Sequence, residues 1–284
     1  MSDESGLIIG FVADFMFSVR IENVARSSGF VLQLIGRADE IAPMDPDAPT
    51  YQPGEPLFGQ GGDLFKKVTE WQPALIIFDL GNDLIPWEKW IATLKSSPAT
   101  RRFPILCYGP HVDTQKLTRA REIGADEVVA RSRFTSAMPD LFARLALRPD
   151  TSGISAACAE PLSTKALAGI DHFNHGRFYD AHHGLEDAWV EDQGPGRDLY
   201  RAILQIGVAY YQIERGNYRG AVKMLLRVRQ WLAPLPDICR SVNVSRLRED
   251  ADRVYAALQE LGPERVTEID RALFHEVELV ANKN

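Results

Sequence analysis

Cysteine is scarce in this chain: Cys107, Cys158 and Cys239 are all it has in 284 residues. They are odd in number and far apart, with no Cys-x-x-Cys pair, so the sequence suggests neither a disulfide framework nor a cysteine zinc site. Long hydrophobic runs are missing too. The apolar stretch from Leu7 to Val19 is broken by Asp14, and Asp3 and Glu4 precede it where a leader would carry basic residues. The expectation is a cytoplasmic protein with no membrane partner. A basic surplus is also lacking, since 32 Lys and Arg stand against 39 Asp and Glu for a net charge of -7. Nucleic acid is therefore not the expected partner. No P-loop, Gly-x-Gly-x-x-Gly, Gly-x-Ser-x-Gly or His-Glu-x-x-His occurs, which removes the chemistries with the plainest signatures. Gly59-Gln60-Gly61-Gly62 is glycine-rich but lies in a proline-rich stretch, not directly between a strand and a phosphate-binding helix.

What remains is ordinary globular material, 45% hydrophobic and 25% charged, in a chain long enough for two domains. Up to residue 147, strand-like and helix-like segments alternate. Apolar runs at Leu7–Val12, Phe30–Ile35, Leu75–Asp79, Ile105–Tyr108 and Val128–Ala130 read as strands. Phe15–Ser28, Asp63–Glu70, Pro86–Lys95, Gln115–Ile123 and Ser136–Leu147 read as helices. Such alternation implies a parallel sheet covered on both faces. Residues 39–62 interrupt it with five prolines and read as an irregular insertion. Residues 148–161 read as a linker, and 162–284 read as helix throughout, in a small bundle. Gly176-x-Phe178-x-x-Ala181 recurs as Gly216-x-Tyr218-x-x-Ala221, which predicts two helical hairpins of tetratricopeptide type.

Asp79 closes the third strand, Asp14 follows the first, and Gly124-Ala125-Asp126-Glu127 precedes the fifth. On these residues the first half resembles the receiver domains of bacterial response regulators, with a flavodoxin-like fold. The resemblance implies Asp79 as the phosphate-accepting position and Asp14 as one of the acids that would hold magnesium. It also shows what is missing. Ala13 stands at the other acidic position, Gly109 where a hydroxyl belongs, and Arg131-Ser132 in place of Lys-Pro. An arginine fork does not reproduce a lysine's point charge. The reading is a receiver-like module that takes no phosphoryl group and serves in docking or dimerisation. The alternative for Asp79 is a solvated carboxylate at a strand end.

Four of the six histidines, His172, His175, His182 and His183, fall within twelve residues. His182, Glu186 and Trp189 share one helical face. With Phe178, Ala181 and the later Gln212, these residues resemble the family numbered 309 among domains of unknown function. Some members of that family are described as presumed metal-dependent hydrolases. His183 stands where that family commonly has glutamate, Arg201 where it has glutamine, and Tyr211 where some members have histidine. Three readings stay open for His182 and Glu186. They form a buried hydrogen-bonded pair that clamps helices, or, with His175 folded back, part of a divalent metal site, or the wall of a partner pocket. A catalytic zinc needs three protein ligands and an open position. The favoured function is a regulatory or scaffolding protein without catalysis or cofactor, acting through a protein partner or self-association. A hydrolase centred on His182 and Glu186 is the alternative. Arg215, Arg219, Lys223 and Arg227 recur every four residues and read as a solvated helix face.

Overall fold

The computed structural model describes residues 6–42, 59–148 and 151–280, with Gly59 and Gln60 described by backbone only. The insertion's prolines, Pro43, Pro46, Pro49, Pro53 and Pro56, lie outside the described residues, as does Pro149 of the expected linker. The chain forms two compact units, Met1–Arg148 and Pro149–Asn284.

The first unit runs β1 (Gly6–Phe11), α1 (Phe15–Ser27), β2 (Phe30–Leu34), α2 (Gly59–Trp71), β3 (Leu75–Asp79), α3 (Trp87–Ser96), β4 (Ile105–Gly109), α4 (Thr114–Glu122), β5 (Glu127–Ala130) and α5 (Arg131–Leu145). Its five strands pair in parallel in the order β2-β1-β3-β4-β5. That is the flavodoxin-like order, in which the crevice lies at the strands' carboxyl ends between β1 and β3. Every residue of β3 and β4 is buried, because helices cover both faces and build two cores. Ile9, Phe11, Ile76 and Phe78 point into one, and Ile8, Ile77, Leu106 and Tyr108 into the other. This alternation of side chains across the sheet is what a parallel strand imposes.

Two boundaries differ from the sequence reading. The insertion is regular at both described ends: Ala38–Glu40 form a 3-10 turn, and Gly59 to Gly62 open α2 instead of preceding it. Glu40 stabilises the turn by accepting from the N–H groups of Gly36 and Arg37, both at 2.9 Å. The last helix starts at Arg131, five residues before the expected Ser136. Pro139 is accommodated by a break at Ala137 (φ -115°, ψ 15°), since a proline inside a helix removes one hydrogen bond.

The second unit comprises α6 (Ile154–Ala159), α7 (Thr164–Asn174), α8 (Phe178–Glu191), α9 (Asp198–Glu214), α10 (Tyr218–Leu232), β6 (Ile238–Cys239), β7 (Val242–Asn243) and α11 (Val244–Leu261). The expected hairpins are α7–α8 and α9–α10, and the repeat extends to individual hydrogen bonds. Gly176 and Gly216 adopt φ of 70° and 71°, the left-handed region that suits glycine. Arg177 N–H donates to His172 O at 2.9 Å, and Asn217 N–H donates to Gln212 O at 2.8 Å. Gly176 and Gly216 each donate to the carbonyl three residues back at 2.9 Å. Both turns are therefore Schellman caps. Helices α7 and α8 approach through glycines: a Cβ on Gly184 would lie 3.2 Å from Gly169 Cα.

Three expectations are corrected here. The linker is not wholly irregular, because α6 lies within it. The second half is not helical throughout, because β6 and β7 form an antiparallel hairpin. And the cysteines do pair: Cys158 of α6 is disulfide-bonded to Cys239 of β6 across 81 residues. Between the hairpin strands, Arg240 (φ 52°) is buried. It donates to Ala157 O at 3.1 Å and to the Tyr200 hydroxyl, and it pairs with Asp192 at 2.8 Å and Glu160 at 3.3 Å. A buried guanidinium with this many partners is satisfied, and it fastens the hairpin beside the disulfide. Cys107 is free and buried in β4, where burial raises its thiol far above the ordinary range.

Candidate functional site

In the first unit, β1, β3 and β4 deliver their last side chains to the same end of the sheet. Asp79 ends β3 beside Tyr108 of β4. Its carboxylate is only 4% exposed and fully engaged. Oδ1 accepts from Gly81 N–H at 2.9 Å, and the Arg131 guanidinium reaches Oδ2 at 2.9 Å and Oδ1 at 3.2 Å. Arg131 is the first residue of α5, which aims its side chain back over β3. Its guanidinium stacks over Phe17 at 4.7 Å and lies 5.8 Å from the Tyr108 ring. Tyr108 in turn stacks on Phe134 at 4.1 Å and Phe17 at 5.5 Å. Rings on one side and a carboxylate at the edge fix the cation. The Tyr108 phenol is held well above its usual range, first by burial and then by the Asp79 charge.

Asp14 serves elsewhere. Its Oδ1 accepts from Met16 N–H at 3.0 Å and Phe17 N–H at 3.2 Å, capping α1, while Oδ2 lies 3.9 Å from Arg131. Losing such a cap costs about 1 kcal/mol. At Gly109, a Cβ would lie 3.2 Å from Leu80 Cβ, so the missing hydroxyl has little room. Asp126 is structural, accepting from Ile105 N–H at 2.7 Å and pairing with Lys95 at 2.5 Å. The sequence located Asp79 and Asp14. It noticed Arg131 only as a substituted residue and did not foresee that its fork would occupy Asp79.

In the second unit, His182 and Glu186 do meet, with Nε2 and Oε2 3.4 Å apart, but both are partly exposed, at 37% and 51%. The buried clamp between helices is therefore corrected to a contact along one helix. An i, i+4 pair of this exposure is worth about 0.5 kcal/mol or less. His175 stays with its own helix: its Nδ1 lies 2.8 Å from Asp171 O, and the side chain is exposed. His183 packs edge-on to Tyr179. Among the described residues, no group of three or more His, Cys, Asp or Glu could hold a metal ion.

The other motif residues build the hairpins. Phe178 is buried against Phe173, Tyr210 and Phe274, and Ala181 is buried in α8. Gln212 Oε1 accepts from Asn217 Nδ2 at 2.7 Å, and Asn217 Oδ1 caps α10 by accepting from Gly220 N–H at 3.0 Å. Trp189 packs partly buried against Ala166, Ala188 and Tyr200. Of the four-residue stripe, Arg215, Arg219 and Lys223 are exposed as expected, but Arg227 is half-buried.

The family model described as Domain of unknown function (DUF309) matches residues 166–224. No curated protein matches. Among solved structures, the signal receiver domain of a signal transduction histidine kinase from Syntrophus aciditrophicus is 16% identical, with 50% of this chain and 89% of that chain covered at a TM-score of 0.37. The signal receiver domain of a response regulator from Bermanella marisrubri is 19% identical, covering 50% of this chain and 98% of that one at 0.37. A response regulator receiver domain from Rhodospirillum rubrum is 17% identical, with 51% and 97% covered at 0.37. Among the described residues, no helix is long and apolar enough to cross a membrane.

Proposed function

We propose that the chain is a non-catalytic regulatory protein, with a receiver-like half that takes no phosphoryl group and a helical half that engages a partner. The observation that carries this is the Arg131 guanidinium seated on Asp79. Phosphoryl transfer to a carboxylate needs an oxygen free for in-line attack and a divalent cation to neutralise the transferred charge. Here both oxygens are engaged, and the neutralising charge already belongs to the protein. The pair resembles a switch held in one position by a side chain instead of by a modification. Neither the geometry nor the comparisons point to a hydrolase.

A protein partner fits the surface around this locked site. Phe15 and Met16 after β1, Leu84 after β3 and Val112 after β4 are large apolar residues that are 76%, 75%, 54% and 76% exposed. All four lie just beyond strand carboxyl ends, Phe15 and Met16 in the first turn of α1 and Leu84 and Val112 in connections. Apolar side chains grouped at one rim are a common mark of an interaction surface. The test is intact mass after incubation of the full chain with acetyl phosphate and magnesium. The expected result is an unchanged mass. A stable phosphoryl adduct, absent from Asp79→Asn, would overturn the proposal.

A further inference from the structure

Two arginines of the helical half lie against its two tryptophans, and a third sits beside them. Arg201 of α9 has its guanidinium 3.8 Å from the Trp231 ring of α10 and 4.9 Å from the Trp189 ring of α8. Arg197, just before α9, lies 5.1 Å from the same Trp189 ring. Arg227 sits one turn before Trp231 on α10, close enough to repel Arg201. Across the described residues, neither Arg201 nor the Arg227 side chain donates a hydrogen bond or forms an ion pair.

Stacking fixes what such a cation can still do. Rings cover the faces of a guanidinium and leave its N–H groups pointing outward in the plane. Among the described residues, Trp189 Nε1, Trp231 Nε1 and Arg227 Nε are also buried without a hydrogen-bond partner. Buried polar groups are normally paired, so several orphans in one place point to a ligand. Among the charged neighbours of Arg201 are Arg197, Arg227 and one acid, Asp198. Three cations against one anion leave a surplus of two positive charges. Burial lowers the Arg201 pKa and raises that of Asp198, the mark of charges removed from water.

We propose that Trp189, Arg197, Arg201, Arg227 and Trp231 form a binding site for a phosphate group. A phosphate dianion matches the surplus charge, and its oxygens suit the in-plane arginine fork and the indole N–H donors. The site deepens the partner-binding reading of the helical half. It does not depend on the Arg131–Asp79 pair, so either can fail alone.

The test titrates the full chain at constant ionic strength with inorganic phosphate and, separately, with phosphoserine amide, reading tryptophan fluorescence and heat. The expected result is saturable binding that weakens at least about tenfold in Arg201→Gln and in Arg227→Met, the loss appropriate to one charge-assisted contact. Trp231→Phe keeps the ring face but loses the N–H, and binds more weakly by about threefold. Binding of phosphoserine amide alone assigns the site to a phosphorylated side chain, and binding of both assigns it to free phosphate as well. No saturable binding of either, or binding unchanged in both arginine variants, overturns the proposal. Thermal melts confirm that the variants fold.

Discussion

Arg131 and Arg201 are the same side chain in two circumstances. Both lie against aromatic rings, and both project from helices at the edge of a core. Arg131 has found its anion inside the chain, in Asp79 at 2.9 Å. Among the described residues, Arg201 has two indole faces and no hydrogen-bond acceptor. The difference separates a closed site from an open one. In the receiver-like half, an internal cation takes the place of an external charge. In the helical half, cations are gathered without enough internal charge to match them. On the readings proposed above, the first arrangement takes no phosphoryl group and the second binds a phosphate.

Experiment can separate the two circumstances. The largest effect belongs to the covalent tie of the helical half. Reducing Cys158–Cys239, which closes 81 residues of chain, is expected to cost about 3–4 kcal/mol. That corresponds to a fall in Tm of roughly 10 °C, readable by calorimetry with and without reductant. Next comes Gly169→Leu. A Cβ at Gly169 would already lie 2.8 Å from Leu185 Cγ, so forcing α7 from α8 costs about 3 kcal/mol, read by urea denaturation. Arg131→Gln removes the partner of a buried carboxylate that is otherwise hydrogen-bonded to Gly81. The expected loss is about 2 kcal/mol, rescued in part by adding Asp79→Asn. Arg201→Gln should cost within about 1 kcal/mol, because only ring stacking is lost. Equal losses at Arg131 and Arg201 would erase the distinction between the two halves.

Much of the fold was legible because its signals are local. Leu75 to Phe78 is an unbroken apolar run closed by Asp79, and the strand matches it residue for residue. Gly176 and Gly216 sit at the same place in a forty-residue repeat, and both carry the left-handed cap. What was missed depends on distant partners. Cys158 and Cys239 are brought together only by the packing of α6 on the hairpin. The strands of that hairpin are two residues each, too short for periodicity to register. The start of α5 was hidden because Arg131, Ser132 and Arg133 carry no apolar pattern. His182 and Glu186 were paired correctly by spacing, but spacing does not report burial, and their face proved partly exposed. Arg201 was noted only as a departure from glutamine, since its stack needs three helices to be in place.

The disulfide also bears on location. Such bonds are uncommon in reducing compartments, so the Cys158–Cys239 bond counts against the cytoplasmic expectation drawn from the lack of a leader or membrane span.

The central claim is that Arg131 holds the position a phosphoryl group would need. Its most direct test is a crystal structure of the full chain grown with magnesium and beryllium trifluoride, a phosphoryl stand-in that bonds to accessible aspartates. The account predicts an unmodified Asp79 with Arg131 Nη2 still within hydrogen-bond distance of its carboxylate. Beryllium trifluoride on Asp79, with Arg131 swung away, would contradict it.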